Sequence, residues 1–418
     1  MPDTLRQYRT SDKYFTRNRK LTFVALVLFI MNMPKRTLSL ELQDFFEQMR
    51  GCFRKVTPGA LTQGRNKLSP EVFVGIRDVI QDEYYSDNEE RVKLWNGHRL
   101  LGVDGSKITL PYTKELEDIY GTIKNQNEIK DVIQGRVSVL YDVLNDMVID
   151  GVLSPCATGE VTLAHKHVNR IKQNDLVILD RGYPSFGLAL DILNAKADFL
   201  FRCKPSFNNT VRKFADSDET DHIVEISPKQ NGSFKNKNYN AKSRLKVRLV
   251  KVFLKTGEVE ILMTSLLDKE KYPYEIFQEL YFERWRVEVF YDRIKNILML
   301  ENFSGLTPHA IMQDFYCALL ISNIQSLLME EAQMVLDKNR AGKKYNYKVN
   351  VSLSLGYMKH RLIKVLSKKS QQKALKELEL LLLENPQSER KERSFCRDHG
   401  KYRRRTKPPM FCNKKRNV

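Results

Sequence analysis

Apolar and polar positions change their period several times along the chain. Up to about residue 95 the spacing is helical. Residues 21–33 (LTFVALVLFIMNM) are almost wholly apolar and follow a basic stretch, and residues 38–49 repeat at helical spacing and stop at Gly51. Thr57-Pro58 reads as an N-cap with proline at the first helical position, and Ser69-Pro70 opens a further helix. The 21–33 run is too short to span a bilayer and lacks a small-residue cleavage site, so it predicts a buried helix. The helix after Thr57 carries Gln63, Arg65, Asn66 and Lys67, which gives 1–95 the outline of a helix-turn-helix DNA reader. Ordinary helical cores share that outline.

From about residue 98 the period shortens to that of strands. Residues 99–103 (RLLGV) lead into Asp104, and residues 135–144 and 147–153 read as a hairpin around Asn145-Asp146. Residues 160–171 and 186–195 are helical, whereas Asp175–Leu179 is an apolar strand ending at Asp180 and Asp198–Cys203 is strand-like. Antiparallel strands first, then strands alternating with helices, predict an α/β mixed sheet flanked by helices. Residues 206–265 interrupt that core. Within them 244–253 (RLKVRLVKVF) alternates basic and apolar side chains, as a half-buried strand should. Helices return from 272 to about 385.

Charge now narrows the function. Lys plus Arg number 70 against 51 acidic residues, a net charge of +19. Such an excess attracts polyanions, because each basic contact to a phosphate releases a condensed counterion. Two segments concentrate it. Residues 229–251 hold eight basic side chains and no acid, and residues 389–418 hold twelve basic and three acidic ones. The first places Arg244, Lys246 and Arg248 on a DNA-facing strand, the alternative being a solvated edge strand protected by charge. The second predicts a disordered, nucleic-acid-binding tail. The six cysteines are scattered without a CxxC, which fits reduced thiols of a cytoplasmic protein. Cys396, His399 and Cys412 lack a fourth partner for zinc.

The segment 281–299 (YFERWRVEVFYDRIKNILM) carries the chemistry. On a helix at about 100° per residue, Tyr281, Arg284, Glu288 and Lys295 share one stripe about 60° wide, while Val287, Phe290, Tyr291, Ile294 and Leu298 form an apolar flank. A carboxylate beside cations suits a metal and a phosphodiester together. A surface helix with an Arg284–Glu288 ion pair is the plainer reading. Asp180 in Asp180-Arg181-Gly182-Tyr183 stands at the end of an apolar strand, where α/β folds place ligand-binding groups. Asp104 in LLGVDGSKI is again an acid before a glycine. Acids in such turns often cap backbone amides instead.

The spacing Tyr281-x2-Arg284-x3-Glu288-x6-Lys295 resembles the YREK signature of IS4-family transposases. The DRGY at 180–183 resembles that family's second-Asp motif and the VDGS at 103–106 its first. The likeness covers about residues 95–330. It implies an RNase H-like catalytic core with a DDE triad, in which Asp104, Asp180 and Glu288 are catalytic and ligate two divalent ions, Mg²⁺ or Mn²⁺, about 4 Å apart. Tyr281, Arg284 and Lys295 would contact phosphates of the transposon end. Trp285 borders the stripe and reads as a packed core aromatic, with stacking on an unpaired base as the alternative.

The resulting plan has a helical region 1–95, a core in two parts (96–205 and 266–335), a β-rich basic insertion at 206–265, a helical region 336–388 for oligomerisation, and the tail 389–418. It describes a nucleoid-associated DNA transposase that cleaves and joins double-stranded DNA as a homodimer, without a membrane. The alternatives are an inactive DNA-binding derivative and an RNase H-like nuclease.

Overall fold

Strand positions follow the sequence closely because apolar runs bounded by turn residues have few other places to go. The computed structural model describes residues 3–17, 19–50, 56–87, 90–123, 131–228, 238–254, 257–340, 342–343, 345–359, 361–366 and 371–389. The tail beyond 389, residues 229–237 of the basic run, and Cys52, Cys396, His399 and Cys412 lie outside them. The chain divides into two units, one of Glu83–Lys107 and Arg136–Asp292, the other of Met1–Asp82, Ile108–Gly135 and Arg293–Val418.

The first unit is built on a sheet. Its strands are β1 (Arg99–Thr109), β2 (Val132–Asp142), β3 (Met147–Pro155), β4 (Asp175–Leu179), β5 (Asp198–Cys203), β6 (Asp221–Ile226), β7 (Leu245–Phe253) and β8 (Val259–Thr264). They run in the order β3-β2-β1-β4-β5-β8-β7-β6. The first five make a mixed sheet. β2 and β3 are joined by residues 143–146, a connection short enough only for an antiparallel pair, and Asp146 takes a positive φ of 53° there. β4 pairs in parallel with β1 from Arg99↔Asp175 to Val103↔Leu179, and with β5 on its other side. Every residue of β4 is buried, as a strand covered on both faces requires. Arg99 and Asp175 open the parallel pair with a buried bidentate bridge of 2.8 and 2.7 Å, which fixes the register. That register sets Asp104, midway along β1, beside Asp180, which directly follows the end of β4.

The strands of the 206–265 stretch join the core sheet. β8 pairs antiparallel with β5, and β7 and β6 follow, so its strands extend the core sheet and cover an edge that would otherwise be unpaired. β7 is not half-buried. Helices Asn209–Asp216 and Ile276–Phe282 both pack on it, and between Leu245 and Phe253 only Lys246 is exposed. Arg248 is fully buried. It makes a bidentate bridge to Asp221 (2.8 and 2.7 Å), donates to the Tyr272 carbonyl at 2.7 Å and lies over the Phe277 ring. Arg248 is therefore withdrawn from any DNA-facing role, while Arg244 and Lys246 remain exposed. Alternation alone could not reveal that a helix would cover the basic face.

The second unit is helical. The 21–33 run forms the buried helix Phe23–Met31, capped by Thr22, and no helix of the described residues is long and apolar enough to cross a membrane. Thr57 caps Pro58–Arg65, accepting from Ala60 N at 3.2 Å, but Arg65 points inward. Its guanidinium is held by Gln313, Ser304, the Ala310 carbonyl and Asp314. The longest helix among the described residues is Pro308–Asn339, and Val351–Met358, Arg361–Val365 and Gln371–Glu384 follow it.

Burial alone would raise the Asp221 carboxyl, but Arg248 and then Lys269 reverse this and hold it below the usual carboxylate value. Such a group stabilises the fold above its unfolded pKa and loses that contribution as pH falls through the folded one. Asp221→Asn leaves Arg248 buried without a counter-charge. It should cost about 3–5 kcal/mol at pH 7 and flatten the acid limb of the stability curve, as read by urea unfolding at pH 7 and pH 3. A loss below about 1 kcal/mol would place the pair among weakly contributing bridges.

Candidate active site

Asp104 lies on β1, Asp180 directly follows β4, and Glu288 lies on the helix Trp285–Asp292, all within the sheet unit. What brings the helix to the strand is the absence of a side chain. A Cβ on Gly102 would stand 2.4 Å from Val287 Cγ2 and 3.2 Å from Val143 Cγ1. Glycine inside a strand marks such a close approach. Tyr291 then fastens the contact, its hydroxyl donating to the Asp104 carbonyl at 2.8 Å. Val287, Phe290 and Tyr291 are buried, as the apolar flank predicts.

The segment 281–299 is not one regular helix. Ile276–Phe282 ends, and Glu283 and Arg284 turn through i→i−3 bonds to Leu280 and Tyr281. Trp285–Asp292 follows, and Arg293–Ile297 is a π-helical turn. A tighter turn and a wider one both depart from 100° per residue, so the single stripe drawn from the sequence does not run through. The Tyr281 hydroxyl instead reaches Asp180 Oδ1 at 3.0 Å, and Arg284 Nη2 reaches Glu288 Oε1 at 3.0 Å. Lys295 falls in the π turn, belongs to the helical unit, and is half-buried, its pKa lowered by burial against the pull of Glu301. Trp285 is 39% exposed, so it is no core aromatic; the Arg284 guanidinium lies 4.9 Å from its ring.

The electrostatics follow from these contacts. Burial pushes the Asp104 carboxyl up to about 6, and the charges of Glu288 and Asp180 add to this, against the Gly105 N–H and Arg284. Burial would also raise Asp180, but the Arg181 backbone N–H, Arg284, Tyr281 and Arg202 together hold it below the usual range. Burial likewise disfavours the Arg284 cation, yet Tyr281, Asp180 and Glu288 keep its pKa raised. Arg284 as a whole is only 3% exposed. Sequence reasoning missed Arg202, which stands 3.6 Å from Asp180 Oδ1 and 2.8 Å from Glu260 Oε1. It also missed Tyr291, although its place on the apolar flank was legible.

Three carboxylates are the hard oxygen donors that Mg²⁺ and Mn²⁺ take, and the Asp104 charge, disfavoured first by burial and then by its acidic neighbours, is one that a cation would stabilise. The chemistry of the donor set thus fits a divalent ion. Among the described residues, no three His, Cys, Asp or Glu side chains already stand close enough to ligate one together.

A family model described as "Transposase DDE domain" matches residues 95–324. The chain is similar to the transposase InsG for insertion sequence element IS4 of Escherichia coli (strain K12), with 22% identity over 316 residues, covering 74% of this chain and 70% of that one. Among solved structures, it resembles the cryo-EM structure of a piggyBac transposase synaptic complex with hairpin DNA (TM-score 0.38, 11% identity, 86% of this chain and 69% of the other). It also resembles a Mos1 transposase paired-end complex with the left transposon end (TM-score 0.17, 12% identity, 45% and 61%).

Gly102→Ala should push the Glu288 helix off β1 and cost about 1–3 kcal/mol by overpacking. Val287→Ala in the same chain should recover part of that loss, giving a coupling term in a double-mutant cycle by chemical denaturation. Additive losses would mean that the helix does not rest on the glycine.

Proposed function

Since this chain belongs to the Transposase DDE domain family, in the IS4 type, we propose that it binds the terminal inverted repeats of an insertion sequence and cleaves and joins DNA strands with Asp104, Asp180 and Glu288. The observation that carries this reading is the placement of those three acids on β1, after β4 and on the neighbouring helix of one RNase H-like sheet, with Arg284 acting on all of them. Divalent cations held by the three carboxylates would supply Lewis-acid stabilisation of the leaving 3′-oxygen and a lowered pKa for the attacking water.

The rest falls to the chain itself. Tyr281 and Arg202 keep Asp180 ionised and oriented. Arg284 holds Glu288 in place and carries the positive charge that an incoming phosphate meets beside it. Tyr291 ties the Glu288 helix to the strand that bears Asp104. The same site serves hydrolysis at the transposon end and then attack of its 3′-hydroxyl on target DNA, both at phosphorus, so no covalent protein–DNA intermediate is required. Exposed Trp285 is placed to stack on an unpaired base. Arg244, Lys246 and Lys295 contact phosphates, and pairing of two ends calls for a homodimer.

Asp104→Ala, Asp180→Ala and Glu288→Ala should each abolish Mg²⁺-dependent strand cleavage of an end-bearing plasmid while gel-shift binding to the end persists. Full cleavage by any one of them removes that residue from the site. Lys295→Ala should weaken end binding and reduce the slope of log K against log salt by about one. An unchanged slope would show that this lysine touches no phosphate.

A further inference from the structure

Glu160 opens the helix Glu160–His167 that follows β3. Its carboxylate lies beside both glycines that follow the first two acids, Gly105 within β1 and Gly182 in the turn after β4. A Cβ placed on Gly105 would stand 3.6 Å from Glu160 Oε1, and one placed on Gly182 would stand 3.3 Å from Glu160 Oε2. Gly105 directly follows Asp104, and Gly182 comes two residues after Asp180. One side chain thus reaches both β1 and the turn that follows β4. Arg136 on β2 tethers it, Nη1 lying 3.4 Å from Oε1, and the Glu160 side chain stays 42% exposed.

A second observation is independent of the acids. Tyr183 is 2% exposed, and its buried hydroxyl has no hydrogen-bond partner. That hydroxyl stands 3.4 Å from the same Cβ position on Gly105. The buried Nε of Arg136 also lacks an acceptor. Unpaired buried donors next to a carboxylate mark a place where an oxygen able to accept and donate belongs. Mg²⁺ sheds water reluctantly and keeps several water ligands at carboxylate sites, and groups around such a site bind those waters rather than the ion.

We propose that Glu160 and Tyr183 are positioning residues that hold a water of the hydrated divalent cation beside Asp104, Glu160 accepting from that water and Tyr183 donating to it. The proposal rests on Asp104, Asp180 and Glu288 being the cation's ligands. It uses no residue of the family signature at 281–295, and it assigns the Tyr183 hydroxyl a task that packing does not explain.

The test is titration of Mn²⁺ alone into the full chain, stripped of metal, by calorimetry, with the melting temperature of each metal-free protein measured alongside. Glu160→Gln and Tyr183→Phe should each weaken Mn²⁺ binding about 10-fold or more. Tyr183→Phe should leave the metal-free Tm unchanged or raise it, because it removes an unpaired buried hydroxyl. A purely structural role would lower Tm and leave affinity alone. If Glu160→Gln unfolds, the Tyr183→Phe result decides. Wild-type affinity in Tyr183→Phe and in any folded Glu160→Gln, with Asp104→Asn weakened, overturns the proposal and leaves the cation site standing. Unaltered affinity in Asp104→Asn, or no Mn²⁺ binding by the wild type, overturns both.

Discussion

Carboxylates drawn toward one another resist their own proximity, and the site turns on how that repulsion is met. Arg284 meets it. Its guanidinium is taken almost wholly out of water, flanked by the rings of Tyr281 and Trp285, and its charge bears on Asp104, Asp180 and Glu288. A lysine would not serve equally, because a buried ammonium loses its proton far more readily than a guanidinium. The two aspartates still end up different. Asp180 has a tyrosine hydroxyl and a second arginine within reach and stays ionised easily. Asp104 has its neighbour's amide and little water, so its charge is the less comfortable of the two.

Much of this was legible in the sequence, and the parts that were not share a cause. Asp175–Leu179 and Asp198–Cys203 read correctly to the residue because both are short apolar runs with polar ends. The helix 281–299 was recognisable by its periodicity, but its angles were not, because a tight turn at Glu283–Arg284 and a π turn at Arg293–Ile297 leave no mark in the hydrophobic pattern. Arg248 looked like a phosphate contact because its partner Asp221 lies 27 residues away in the chain. Trp285 looked like core because large aromatic rings are usually packed. Local pattern reports which face is apolar; it does not report what another element will lay against the polar one.

Geometry can mislead as readily as sequence. Ser138 Oγ lies 3.0 Å from His167 Nε2, and His167 Nδ1 lies 2.7 Å from Asp150 Oδ2. That is the spacing of a nucleophilic relay. Ser138 and His167 are both buried, at 1% and 0% exposure, so no substrate reaches them. Here the arrangement satisfies polar groups between β2, β3 and the following helix. The carboxylate set differs in being partly open to solvent, with the Glu288 side chain 41% exposed.

The pairing of β8 with β5 reaches further than the sheet. Arg202 is a β5 residue, and it holds Asp180 on one side and Glu260 of β8 on the other. Residues 206–265 are therefore no interchangeable cassette. Cutting them out would bare the hydrogen-bonding edge of β5 and release the arginine that steadies Asp180. Chimeras that swap this stretch between relatives would have to carry β5 with it, or inherit both a sticky edge and a loosened acid.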